Sequence, residues 1–207
     1  FQNNFHSSVF MVTQAGIIAT DPINKAAATW LKGELIKRFS QPVKYVILSH
    51  DHADHISGGE VFAGTAITVS HANARADIVA ERRPTKIPDI TFTDRMTLEL
   101  GGKRVELSHV GRNHSDGSIV MRFPAERVLF AVDFIPVKAL AFKDLRDAYI
   151  DDWITSLKRV EAMDFDILAP GHGRMGKKAD VAAFRGYMED LRGAVLAGLR
   201  TGMSLTA

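Results

Sequence analysis

Cysteine is absent from the chain. Its absence excludes disulfide bridges, thiolate zinc sites and a cysteine nucleophile, so any metal ion has to be held by histidine and carboxylate. The redox compartment stays open. Long apolar runs are missing as well: none approaches the ~18 residues of a membrane span, and the start lacks the basic, apolar and small-residue succession of a signal peptide. An excess of either charge is also missing. Lys and Arg number 26 against 24 Asp and Glu, for a net charge of +2, and basic doublets such as Lys37-Arg38, Arg82-Arg83 and Lys177-Lys178 are scattered rather than striped. Nucleic acid is therefore not an expected partner. The protein reads as soluble, cytoplasmic or periplasmic. The first residue falls almost on a strand and the last helix stops at Ser204-Leu205-Thr206-Ala207 without a clear cap, so both ends read as trimmed from a longer chain and the missing leader does not fix the compartment. With no repeat, linker or low-complexity stretch, 207 residues suit one domain, 1–207, able to bury a large core without staples.

What is present is an alternation of strands and helices. Val9 to Thr13 and Gly16 to Thr20 predict a hairpin across Gln14-Ala15-Gly16. Asp21-Pro22 matches an N-cap followed by proline at the first helical position, and Trp30, Leu31, Leu35, Ile36 and Phe39 recur at helical spacing for one face packed on a sheet. Tyr45-Val46-Ile47-Leu48 has no polar alternation, as in a strand covered on both faces. A short helix at 58–63, a strand at 66–70 and a helix at 73–82 follow. Strands at 91–93, 96–100, 103–110, 119–123 and 128–132 read as an antiparallel run with turns at Gly101-Gly102 and Pro124-Ala125. Helix 151–163, strand 167–169 and helix 178–199 close the chain. Doubly covered strands beside flanking helices argue for an α/β fold of four layers, helix/sheet/sheet/helix, with two mixed sheets.

The densest chemistry is His50-Asp51-His52-Ala53-Asp54-His55, three imidazoles and a carboxylate on one short loop after the strand at 45–48. Imidazole nitrogen and carboxylate oxygen are both good zinc ligands. His50 and His52 point the same way in an extended segment, whereas Asp54 and His55 diverge, so one metal can take the first pair and a second metal the other. Further donors should come from later strand ends. His114 lies in the loop Gly111-Arg112-Asn113-His114-Ser115-Asp116-Gly117, Asp133 ends the apolar strand 128–132, and His172 sits in Pro170-Gly171-His172-Gly173. Asp51 falls on the side opposite its flanking histidines and is not read as a ligand. Ser49 and Asn113 precede ligands and are candidate hydrogen-bond partners. His6, His71 and His109 have no comparable setting and are read as structural or exposed.

This order of elements, His-x-His-x-Asp-His, a lone His, an Asp at a strand end and a His in a Gly-rich loop, resembles the metallo-β-lactamase superfamily from the opening hairpin to His172. The resemblance implies the αβ/βα sandwich and two Zn²⁺ ions, with iron or manganese as alternatives. It implies that His50, His52 and His114 hold the first ion, that Asp54, His55 and His172 hold the second, and that Asp133 bridges them. It further implies a hydrolase of a small-molecule substrate, in which a metal-bridging hydroxide, oriented by Asp54, attacks the carbonyl of an ester, lactone, thioester or β-lactam. An iron-dependent oxygenase and a phosphodiesterase of the same superfamily are the alternatives. Val110-Gly111-Arg112-Asn113 stands where glyoxalase II and persulfide dioxygenases usually carry Thr-Pro-Gly, and diiron flavoproteins put Glu where His52 stands. The long stretch 134–149 is a candidate pocket wall or lid. Within it Lys138 is a candidate for a substrate carboxylate, as a lysine is in some β-lactamases at a different interval, and Tyr149 is a second candidate substrate contact.

Overall fold

The computed structural model describes residues 1–142, 145 and 148–204; of the stretch 134–149, residues 143, 144, 146 and 147 lie outside them. In chain order the elements are β1 (Gln2–Asn3), β2 (His6–Ser7), β3 (Phe10–Thr13), β4 (Gly16–Thr20), α1 (Lys25–Phe39), β5 (Val43–Ile47) and α2 (Ala53–Ile56). After a 3-10 turn at Gly59–Phe62 come β6 (Ile67–His71), α3 (Ala72–Ala80), β7 (Ile90–Phe92), β8 (Arg95–Leu100) and β9 (Lys103–Ser108). The rest are β10 (Val120–Phe123), β11 (Val128–Ala131), α4 (Ile150–Glu161), β12 (Ile167–Pro170) and α5 (Lys178–Arg200).

Two five-stranded sheets result, in the orders β3-β4-β5-β6-β7 and β12-β11-β10-β9-β8. Both are mixed. In the first, β3 is antiparallel to β4 and the rest are parallel; in the second, only β12 is parallel to its neighbour β11. Period-2 alternation sends successive residues to opposite faces. Ile17 and Ala19 join Leu31 and Leu35 of α1 in one apolar cluster, while Ile18 and Ile47 meet Leu107, Met121 and Phe130 between the sheets. On the far side Leu129 and Ala131 pack with Trp153 and Leu157 of α4 and Val181, Phe184 and Met188 of α5. The three clusters are the seams of the expected four-layer sandwich.

Three local expectations are corrected. Asp21 does not cap α1: Asn24 does, its side chain accepting from the Ala27 N–H at 2.9 Å. The buried stripe of α1 is Ala27, Ala28, Leu31 and Leu35, and Trp30, Ile36 and Phe39 are exposed. The two apolar sets overlap at helical spacing, and the face with two alanines lets the helix approach the sheet; Trp30 instead stacks on Phe1, centroids 5.2 Å apart. Finally, β7 does not open the antiparallel run. It returns to the first sheet parallel to β6, held by Asp89, whose side chain accepts from the Thr68 N–H at 2.7 Å and whose own N–H donates to the Thr68 carbonyl at 2.8 Å.

Candidate metal centre

Sheet register sets the site. Ala131 pairs with both Val120 and Pro170, and Val120 with Ser108, so the ends of β9, β11 and β12 and the start of β10 lie along one edge. The loop bearing His114, the residue Asp133 and the loop bearing His172 leave from that edge. In the other sheet Thr20 pairs with Ile47, so Asp21 and the histidine loop leave together; the Asp21 carboxylate accepts from the Ser49 N–H at 2.8 Å. The Ile119 N–H donates to the Ser49 carbonyl at 2.9 Å and ties the two sheets at this edge.

The predicted donors are all brought together. His50, His52, His114 and Asp133 form one group and Asp54, His55 and His172 another that also contains His6; within each, one ligand atom per residue lies within 4.8 Å of the others. His52 Nδ1 is 2.9 Å from His114 Nε2, and His55 Nε2 is 3.0 Å from His172 Nε2. Asp133 touches both groups, with Oδ2 3.7 Å from His50 Nε2, 3.6 Å from His114 Nε2 and 3.1 Å from His55 Nε2, and Oδ1 3.2 Å from His172 Nε2. Its backbone stands at φ 64°, a left-handed conformation that Asp tolerates better than most residues and that turns the side chain back across the strand ends. Asp54 and His55 sit on the single turn of α2 rather than on an extended loop.

Neighbours fix the rings. Ser49 Oγ lies 2.8 Å from His50 Nδ1, which leaves Nε2, buried and without a hydrogen-bond partner among the described residues, facing the cluster. Asp21, wholly buried, faces His55 Nδ1 at 3.7 Å; burial pushes its carboxyl up to about 6 against the opposing His55 charge and Ser49 hydrogen bonds. Asn113 holds the loop rather than a ring, accepting from the His114 N–H at 2.7 Å and donating to the Gly111 carbonyl at 3.0 Å. Asp51 points away from the site toward Arg83, 3.6 Å off.

The electrostatics favour bound cations. Burial works against charge on Asp133, yet the His55 charge and the His172 hydrogen bond hold its carboxyl well below the usual range. Asp54 is held low in the same way, burial being outweighed by the His172 hydrogen bond and the His55 charge. Conversely, His172 is carried up to about 10, its burial outweighed by hydrogen bonds to Asp133 and Asp54, and His55 is raised against its own burial by the Asp133 charge. Burial pushes His50 and His114 down, so they stay neutral and able to ligate. Imidazole nitrogens 2.9 and 3.0 Å apart need a shared proton or, for both lone pairs at once, a cation. The donor set fits divalent metal.

A cavity of about 700 Å³ opens over this floor, lined by His52, Asp54, His114, Asp133 and His172 and walled by Phe5, Ile135, Leu140 and Phe142. Lys138 lines it too. Tyr149 is not among the described residues that line it; its ring lies under the Arg112 guanidinium, 4.4 Å from the centroid. Sequence reasoning missed His6 and the role of Asp21. His6 is delivered by backbone pairing, which spacing does not reveal, and Asp21 was hidden by an Asp-Pro pair that mimics a cap. His71 and His109 lie elsewhere, their rings stacked at 4.1 Å. Among the described residues, no helix is long and apolar enough to cross a membrane.

Comparison with known proteins agrees with the geometry. The family profile described as Metallo-beta-lactamase superfamily matches residues 26–172. The metallo-beta-lactamase type 2 of Bacillus cereus is 29% identical over 178 residues, covering 80% of this chain and 66% of that protein. The 2,4-dinitroanisole O-demethylase subunit alpha of Nocardioides sp. (strain JS1661) is 27% identical over 196 residues, covering 92% of this chain and 59% of that one. The chain thus spans 59% to 66% of the length of these curated relatives. Among solved structures, a metallo-beta-lactamase from Pontibacter korlensis superposes with a TM-score of 0.79 at 22% identity, over 89% of this chain and 87% of that one. Profile, fold and the ordered donors at the sheet edge lead to one assignment: the chain belongs to the metallo-β-lactamase superfamily.

Proposed function

We propose that the chain is a dinuclear metal-dependent hydrolase, zinc being the ion its donors suit, that cleaves an ester, lactone, thioester or β-lactam. The observation that carries this reading is the convergence of His50, His52 and His114 with Asp133, and of Asp54, His55 and His172, on the floor of one cavity. Two divalent ions so held supply Lewis acidity toward a carbonyl oxygen and bring the ionisation of water near neutral pH. The chain's own part is positional. Ser49 orients the ring of His50, Asp21 faces that of His55, Asp133 spans both groups, and Asp54 stands at the cavity surface to orient water. Phe5, Ile135, Leu140 and Phe142 give the cavity an apolar wall, and the Lys138 ammonium at the rim suits a substrate carboxylate.

The test couples metal quantification to a panel of nitrocefin, homoserine lactones, aryl esters, thioesters and phosphodiesters. The expected result is about two ions per chain and cleavage of at least one carbonyl substrate, with His52→Ala lowering the rate by 10² or more. A loaded protein that cleaves none of them, and behaves like its His52→Ala variant, would sink the hydrolase reading. A second reading rests on the demethylase relative, matched over 92% of this chain. An electron-poor aryl methyl ether is also an electrophile, and water added across its aryl–oxygen bond yields a phenol and methanol. With 2,4-dinitroanisole as substrate, methanol keeps the chemistry hydrolytic. Formaldehyde with dioxygen uptake by an iron-loaded protein would move the assignment to an oxygenase.

A further inference from the structure

The N-terminal hairpin enters the metal centre. Its β2 strand is joined to the Gly171–Gly173 loop by backbone pairing: the Ser7 N–H donates to the Gly171 carbonyl at 2.7 Å, the Gly173 N–H to the Phe5 carbonyl at 3.1 Å, and His6 and His172 form an antiparallel bridge. Gln2 Nε2 donates to the Gly173 carbonyl at 2.9 Å. The turn itself holds Asn4 at φ 45° and Phe5 at φ 72°, left-handed conformations that ordinary residues avoid and that surrounding structure must enforce. Their effect is to set the His6 ring 4.3 Å from that of His172 and its Nε2 3.1 Å from Asp54 Oδ2.

The other ring nitrogen decides what Nε2 can do. His6 Nδ1 lies 2.9 Å from the Asn4 carbonyl oxygen, which only accepts, so Nδ1 carries the proton. In the neutral ring Nε2 then presents a lone pair to a carboxylate oxygen that is itself an acceptor. Donation of the remote N–H to a backbone carbonyl is the usual setting of a metal-ligating histidine, fixing its tautomer and raising its basicity.

We infer that His6 is a further protein ligand of the second ion, beside Asp54, His55 and His172 and the shared Asp133. This rests on the two-ion reading above and gives its sites different characters. The second ion would then have four donors of its own beside the shared Asp133, against three for the other, and a catalytic ion is the one that keeps an open position. The second ion is accordingly the anchor, and the open position belongs to the group of His50, His52 and His114.

Titration of the wild type, His6→Ala and His6→Gln with Zn²⁺ against a chromophoric chelator, and absorption spectra after loading with Co²⁺, test this without reference to turnover. The expected result is that both variants lose affinity for one equivalent by roughly 100-fold or more, keep the other equivalent within about threefold, and show a changed ligand-field spectrum for the weakened site. Affinity unchanged in His6→Ala overturns the inference while leaving the two-ion reading intact. Wild-type affinity and spectrum restored by His6→Gln, which can donate to Asp54 but ligates poorly, also overturn it and make His6 a positioning residue. A wild type that takes up no second equivalent defeats both readings.

Discussion

Behind the histidine loop, on its side away from the cavity, Asp77 faces Asp51 and Asp116. Burial together with these two charges, a hydrogen bond to Asp116 and the charge of Glu81 pushes the Asp77 carboxyl up from 3.8 to about 6. The folded protein therefore holds a proton there that the unfolded chain gives up. Stability contributed by this group falls as pH rises from about 4 to 6, and the penalty is complete above that window. Asp77→Asn, which stays neutral, is expected to raise Tm at pH 7 by on the order of 2 °C and to lose that advantage as pH is lowered toward 4. An equal shift at both pH values would mean the charge is not the cause. The same loop shows what single residues disclose. Ser49 was readable as a partner because it adjoins a predicted donor, and the spacing of His50 and His52 matches their place in one donor group. Asp21 was not, since Asp-Pro is a local signature whereas the contact of its carboxylate with Ser49 depends on how β4 pairs with β5. His6 was hidden for the same reason.

At the scale of elements, the seven predicted donors lie beyond strand ends, and the loop after β12 is tightly fitted. A Cβ at Gly171 would press against Asp133 Oδ1 and stand 2.5 Å from Val132 Cγ1 and 3.0 Å from His55 Cε1. Gly171→Ala is expected to displace the Asp133 carboxylate, lowering zinc affinity at least ~10-fold at an overpacking cost of about 1–3 kcal/mol. Gly186→Ala is the control. A Cβ there meets nothing within 4 Å, and inside α5 alanine should stabilise by up to about 1 kcal/mol with no change in zinc binding. Chelator competition and thermal melts on the pair separate the effects; equal zinc affinity in both would show that Gly171 does not wall the site. Strands β4, β5, β9, β10 and β11 were legible because their apolar runs are bounded by turn residues. The placement of β7 was not, because Thr91-Phe92-Thr93 reads the same in either sheet, and only the Asp89 hydrogen bonds commit it to β6.

Across the whole molecule the centre is a joint between two sheets. The histidine loop and Asp21 belong to the sheet of β4 and β5, whereas His114, Asp133 and His172 belong to that of β9 to β12. Unfolding must scatter these donors, so ions bound only to the folded state stabilise it by mass action. The four-layer order was legible from doubly covered strands, but this mechanical role was not, because it depends on both sheets presenting the same edge. With one ion free at about 100 times its Kd the folded state gains about 2.7 kcal/mol, which for a chain of this length corresponds to a Tm rise of about 5–10 °C. Chelation is expected to remove that increment and zinc to restore it. The apo protein should still fold, because the three apolar clusters do not include the donors, and the proton on His172 then offsets Asp133 and Asp54. A Tm indifferent to chelator in a protein shown to have lost its ions would mean that the donors do not join the sheets.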